Sequence, residues 1–129
     1  MIVVDSSVWI SRLHNADTPE TRKFNDVEDF QDIVLGDIVL LEILRGARND
    51  QNATNILRKL QDYTPVPMLS PDLAMKAARN YRLLRERGKT ISKTPDLIIG
   101  TYCIEHGFSL LQADKDYLPM AEHLGLRLA

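Results

Sequence analysis

The chain has 129 residues, 44% hydrophobic and 26% charged, with a formal net charge of −2; these are the proportions of a soluble globular protein, and they predict one domain over residues 1–129 with a real buried core. No apolar run approaches the ~20 residues of a membrane span, and no leader segment precedes the first strand. The single cysteine, Cys103, excludes an internal disulfide and a cysteine-based zinc cluster, so the expectation is a cytoplasmic protein with no membrane association.

In chain order, Ile2-Val3-Val4 predicts a short strand buried on both faces, followed at once by Asp5 and a helix over Ser6–Leu13. In an open parallel α/β sheet, ligands sit outside the carboxyl ends of the strands, where Asp5 stands. Two readings of Asp5 are open there: a functional carboxylate, or only the N-cap of the helix. Asn15-Ala16-Asp17 is a polar turn. Thr18-Pro19-Glu20 supplies a cap, a proline at the first helical position and an early acid, predicting a helix to about Phe30. Its acids Glu20, Asp26, Glu28 and Asp29 form a solvated face. Ile33-Val34-Leu35 predicts a second strand, closed by Gly36-Asp37.

Ile38 to Arg45 predicts a helix that is apolar nearly all round and ends at Gly46. Glu42 lies in the middle of it. Desolvating a carboxylate is costly unless it is paired, hydrogen-bonded or bound to a cation. A pair with Arg45 on the same helix is the simpler account, but it does not explain the apolar host, and the functional reading is favoured. Asn49–Leu60 predicts another helix. Thr64 to Leu69, with two prolines, fits an edge or the start of a strand. Ser70-Pro71-Asp72 then starts a long helix whose Leu73, Ala77, Tyr81 and Leu84 make one buried stripe.

Charge is uneven along that helix and the loop after it. From Lys76 to Lys93 there are seven basic residues against one acid, Glu86, out of 16 Lys plus Arg in the chain. Arg79, Arg82, Arg85, Lys89 and Lys93 form a candidate phosphate track, although clothing a solvent face is the commoner reason for a charge run. Gly88 ends the helix. Thr94-Pro95-Asp96 opens the next, with Thr94 as the expected cap, so Asp96 is not needed for capping, although an acid near a helix N-terminus also suits the macrodipole. Cys103, in that apolar helix, reads as a buried structural thiol. Phe108–Gln112 predicts a strand leading into Ala113-Asp114-Lys115-Asp116, which puts a second acid at a strand's carboxyl end. Leu118–His123 predicts a short helix and Leu126-Arg127-Leu128 an edge strand.

Strands alternating with helices imply an α/β fold, an α/β/α sandwich around a small, mostly parallel sheet. Asp5, Glu42, Asp96 and Asp114 then share one explanation. Oxygen-only ligands suit a hard divalent cation, Mg²⁺ or Mn²⁺ as a substitute, and do not suit zinc. Such a centre activates water and clamps the oxygens of an in-line phosphoryl displacement, and the ion relieves the mutual repulsion of the acids.

Four pieces in order carry a family resemblance: Ile2 to Ile10, Leu41 to Gly46, Thr94 to Gly100, and Leu110 to Tyr117. With them the chain resembles the PIN domains, specifically the VapC-type ribonuclease toxins of toxin–antitoxin pairs. The resemblance implies Mg²⁺-dependent hydrolysis of single-stranded RNA. It assigns Asp5, Asp96 and Asp114 to the metal, and Glu42 to a second ion or to the attacking water. Ser6 and Asp116 become accessory polar residues, Asp116 being a possible substitute for Asp114. Gln112 departs from the Ser or Thr usual at its position. The resemblance further implies a homodimer, a cognate antitoxin whose tail occupies the acidic groove, and an RNA-binding role for Arg79, Arg82, Arg85, Lys89 and Lys93. Two rivals stand beside it. One is a catalytically silent module that keeps the fold to bind a protein partner; the other is a phosphoacceptor signalling domain, which fits the positions of the acids less well.

Overall fold

In the computed structural model of the chain, which describes residues 1–27 and 30–129, four short strands form one parallel sheet in the order β2-β1-β3-β4. β1 is Ile2–Val4, β2 Ile33–Val34, β3 Ser109–Leu111 and β4 Arg127–Leu128. β1 lies in the centre, with Val3 opposite Val34 on one side and Leu110 on the other. Successive residues of a strand point to opposite faces, so burial of neighbours reports cover on both. Val3 and Val4 are both fully buried, as are Leu110 and Leu111. The helices therefore sandwich the sheet, as the alternation of elements predicts.

The helices are α1 (Ser6–Leu13), α2 (Pro19–Asn25), α3 (Asp37–Arg45), α4 (Asp50–Lys59), α5 (Pro71–Glu86), α6 (Thr94–His106) and α7 (Leu118–Leu124). Trp9 of α1 anchors one layer, edge-on to Phe24 of α2 and to Tyr63 after α4. On the stripe of α5, Leu73, Ala77 and Leu84 are buried while Tyr81 is partly so. None of the described helices is long and apolar enough to cross a membrane.

Three expectations need correction. α2 ends at Asn25, well short of Phe30, and a 3-10 turn at Phe30–Asp32 follows. Asp26 is the C-cap residue, and the acids from there on would stand at the helix C-terminus, where negative charge opposes the macrodipole. Glu28 and Asp29 of the expected acidic face lie outside the described residues. α3 is not apolar on all sides in its surroundings: Val39 and Ile43 are buried, whereas Leu41 is 62% exposed. Thr94 does not cap α6; it is the first helical residue, Lys93 holds the cap position, and no side chain caps the helix.

Two glycines set approaches that matter for the site. A Cβ at Gly36 would lie 2.3 Å from Met68 Sδ, so a larger residue there would push the end of the Met68 side chain aside, next to the point where Gly36 bridges Val66. A Cβ at Gly100 would lie 2.5 Å from Met120 Sδ. Its absence leaves room for the end of Met120 against α6, the helix that carries Asp96.

Candidate active site and metal centre

The backbone N–H of Asp5 donates to the carbonyl of Leu111 at 2.9 Å, extending the β1–β3 ladder by one residue before the chain turns into α1. Asp5 occupies the N-cap position of α1, yet its side chain caps nothing. Its Oδ2 accepts from Ser7 Oγ at 2.9 Å, and its Oδ1 accepts from the Tyr117 hydroxyl at 2.9 Å. The capping alternative fails for the side chain, which is buried and directed at other residues of the sheet edge.

The same Tyr117 hydroxyl lies 3.2 Å from Asp96 Oδ1. One phenol proton thus serves two carboxylates that come from β1 and α6, about ninety residues apart in the chain. A hydroxyl has one proton to donate, so the two acids compete for it. Asp96 Oδ2 is buried and has no hydrogen-bond partner among the described residues. Burial, first, and then the charge of Asp5 raise the Asp96 carboxyl from 3.8 to about 6, against the lowering effect of the Tyr117 bond. The helix N-terminus beside it favours the ionised form, but the desolvation of a group only 4% exposed outweighs that.

Asp114 sits beyond the end of β3, and its loop is braced locally. Its Oδ1 accepts the N–H of Asp116 at 3.0 Å, and its own N–H donates to the side-chain oxygen of Gln112. The departure at Gln112 has a use here: its carboxamide oxygen holds the loop. Asp114 Oδ2 accepts from Lys93 Nζ at 3.2 Å. The backbone N–H of Asp116, together with the bond and charge of Lys93, holds the Asp114 carboxyl below the usual carboxylate range.

Carboxylate oxygens of Asp96, Asp114 and Asp116 all lie within 4.8 Å of one another. That spacing, with an orphaned buried oxygen on Asp96, fits a divalent cation bound by oxygen ligands. Asp116, expected as an accessory, stands inside this close group. Asp5 is joined to it through Tyr117. Glu42, half-buried on α3, accepts from Ser6 Oγ at 3.2 Å and makes no ion pair with Arg45 among the described residues. Desolvation and then the nearby charge of Asp5 raise its carboxyl above the ordinary value. Glu42 thus feels the charge of Asp5, and Asp5 is linked through Tyr117 to Asp96 of the close group.

Arg79, Arg82, Arg85 and Lys89 are all exposed along α5 and the loop after it. Lys93, also exposed, is the member of that track that reaches the acids. Lys76 is taken up by Glu105 at 2.9 Å. Cys103 is fully buried, and burial pushes its thiol up to about 12, as befits a structural cysteine.

Tyr117 is the residue the sequence does not single out. A tyrosine after an acidic turn reads as a core aromatic, and its ring is indeed fully buried. Only its hydroxyl, between two acids from distant segments, marks it.

Comparison with known proteins gives the family and the fold. The family model described as the PIN domain matches residues 2–122. The chain is 28% identical over 135 residues to VapC ribonuclease Mb1587 of Mycobacterium bovis, and equally to ribonuclease VapC11 of Mycobacterium tuberculosis. Each alignment covers 100% of this chain and 98% of the relative. Among solved structures, VapBC2 from Rickettsia felis bound to a promoter DNA fragment superposes with a TM-score of 0.78 at 17% identity, covering 100% of this chain and 98% of that one. FitAcB from Neisseria gonorrhoeae gives 0.77 at 16%, covering 99% and 96%. At such identities the solved structures speak for the fold.

Proposed function

Because the chain belongs to the PIN-domain family, we propose that it is a Mg²⁺-dependent endoribonuclease that hydrolyses phosphodiester bonds of single-stranded RNA, acting as the toxin of a toxin–antitoxin pair. The observation that carries this reading is the buried, unpartnered Asp96 Oδ2 beside Asp114 and Asp116, with Asp5 bound to the same tyrosine. The full-length likeness to proteins called VapC ribonucleases supports it.

Asp5, Asp96 and Asp114 would hold Mg²⁺, for which Mn²⁺ is the natural substitute, and Asp116 lies close enough to share the task. When bound, the ion supplies a Lewis acid for the phosphate and an acidified water. Glu42 either holds a second ion or orients the attacking water, and its raised proton affinity suits it to accept that water's proton. Ser6 fixes the Glu42 carboxylate. Tyr117 fixes the facing oxygens of Asp5 and Asp96 and leaves Asp96 Oδ2 free for a ligand. Arg79, Arg82, Arg85 and Lys89 line an exposed cationic track that would hold the RNA backbone next to the acids.

The partner in this reading is a cognate antitoxin whose tail occupies the acidic groove. The working form is a cytoplasmic homodimer. Cleavage of a single-stranded RNA with Mg²⁺, compared between wild type, Asp5→Asn and Asp96→Asn, tests the activity. Loss of cleavage in both variants, with circular dichroism unchanged, is expected; full activity in either one overturns the assignment.

A further inference from the structure

Lys93 Nζ lies 3.2 Å from Asp114 Oδ2, at the edge of the group formed by Asp96, Asp114 and Asp116. Its charge also acts on Asp96, Asp116 and Glu42. The ammonium therefore stands on one of the oxygens that a metal would need. The lysine side chain is 59% exposed and that of Asp114 only 29%. The cation reaches in from solvent on a flexible stem, while the acid it pairs with is fixed by the Asp116 and Gln112 bonds.

We infer that Lys93 is a built-in counter-ion of the acidic centre, which a divalent metal must displace from Asp114 in order to bind. The inference rests on the metal-dependent nuclease reading. Three features carry it. First, the pairing satisfies only part of the cluster: the ammonium is on Asp114, while Asp96 Oδ2 stays unpartnered and buried. A single charge thus lowers the repulsion between acids without filling the place of a divalent ion that several carboxylates bind together. Second, an exposed lysine pair is weak and screened, so its displacement costs little. Third, the leash is short. Lys93 is the cap residue of α6, and its carbonyl accepts the N–H of Leu97 at 3.3 Å, so the ammonium moves without the backbone that carries Asp96. Once displaced, it remains at the rim of the centre, next to the rest of the cationic track. Metal binding and the availability of this lysine for a polyanion are then coupled.

The test is calorimetric titration of Mg²⁺ alone into the intact protein at low ionic strength, without RNA. Lys93→Gln removes the competitor and is expected to tighten Mg²⁺ binding about two- to fivefold, the range an exposed ion pair allows. Lys93→Arg keeps the charge and is expected to stay near wild type. Lys115→Gln removes the same charge from the exposed position next to Asp114 and controls for general electrostatics; it is expected to tighten binding less. Equal affinity in Lys93→Gln and wild type overturns the inference and leaves the nuclease reading standing. So does a gain in Lys115→Gln or Lys93→Arg that matches Lys93→Gln. Wild type that binds neither Mg²⁺ nor Mn²⁺ overturns both.

Discussion

At Asp96 the competing effects can be ranked by size. A helix N-terminus favours a carboxylate by about 0.3–1 kcal/mol. A rise from 3.8 to about 6 corresponds to up to about 3 kcal/mol in the opposite sense. Desolvation and the neighbouring Asp5 therefore win, and the acid is poised for a cation or a proton. The sign for stability follows. Below pH 3.8 the carboxyl is protonated folded or unfolded, and it contributes nothing. Between 3.8 and about 6 the unfolded chain ionises first, so the metal-free protein loses stability as pH rises, and above 6 the full penalty is present. Asp96→Asn removes that penalty. Thermal melts without metal should show the variant gaining on wild type up to pH 6 and above, with the gap closing toward pH 4. A gap that does not change with pH contradicts this account of Asp96. Ser7, Ser6 and Tyr117 act at the same scale, each giving one hydroxyl to one or two acids.

The elements differ in how their ends are held. α5 starts with Ser70, whose Oγ accepts the N–H of Leu73 at 3.1 Å, and α2 starts with a reciprocal Thr18–Thr21 capping box. α6 starts with no side-chain cap, at the segment where Lys93 and Asp96 face the acidic centre. Ser70→Ala should cost about 1 kcal/mol in urea-unfolding free energy, with Mg²⁺ affinity unchanged. A drop in metal affinity would mean that α5 positions the centre more directly than its contacts indicate. At Gly100 the missing side chain leaves room for the end of Met120 against α6, the helix that carries Asp96.

Across the whole molecule, a net charge of −2 conceals two opposed fields: the acidic patch at the sheet edge, and the exposed arginines and lysine of α5 and its following loop. In the proposed function, the acidic centre meets a polyanion and needs cations outside it. Single-stranded RNA binding should weaken as salt rises, with a slope of about −0.7 per phosphate neutralised. Replacing Arg82 and Arg85 together by Ala should then flatten that slope by about 1.4, to a similar degree for unrelated RNA sequences. Filter binding across a salt series, with a non-cleaving Asp5→Asn background, measures it. An unchanged slope would mean that these arginines only clothe α5.

Much of the architecture is legible from residue order, because it depends on local chemistry. The β-branched run Ile2-Val3-Val4, the Ser70-Pro71 and Thr18-Pro19 starts and Gly88 after α5 each fix an element through backbone sterics or a single cap. Asp5, Glu42, Asp96 and Asp114 stand out for the same local reason, as acids next to apolar sequence. Tertiary structure alone decided how they combine. It set Tyr117 between Asp5 and Asp96, drew Asp116 into the close group, turned Gln112 toward its own loop, and laid Lys93 on Asp114. Those relations join residues from 21 to 112 positions apart or depend on which way a short loop folds, and a hydroxyl's or an ammonium's partner is fixed only when packed strands and helices bring the two groups within about 3 Å.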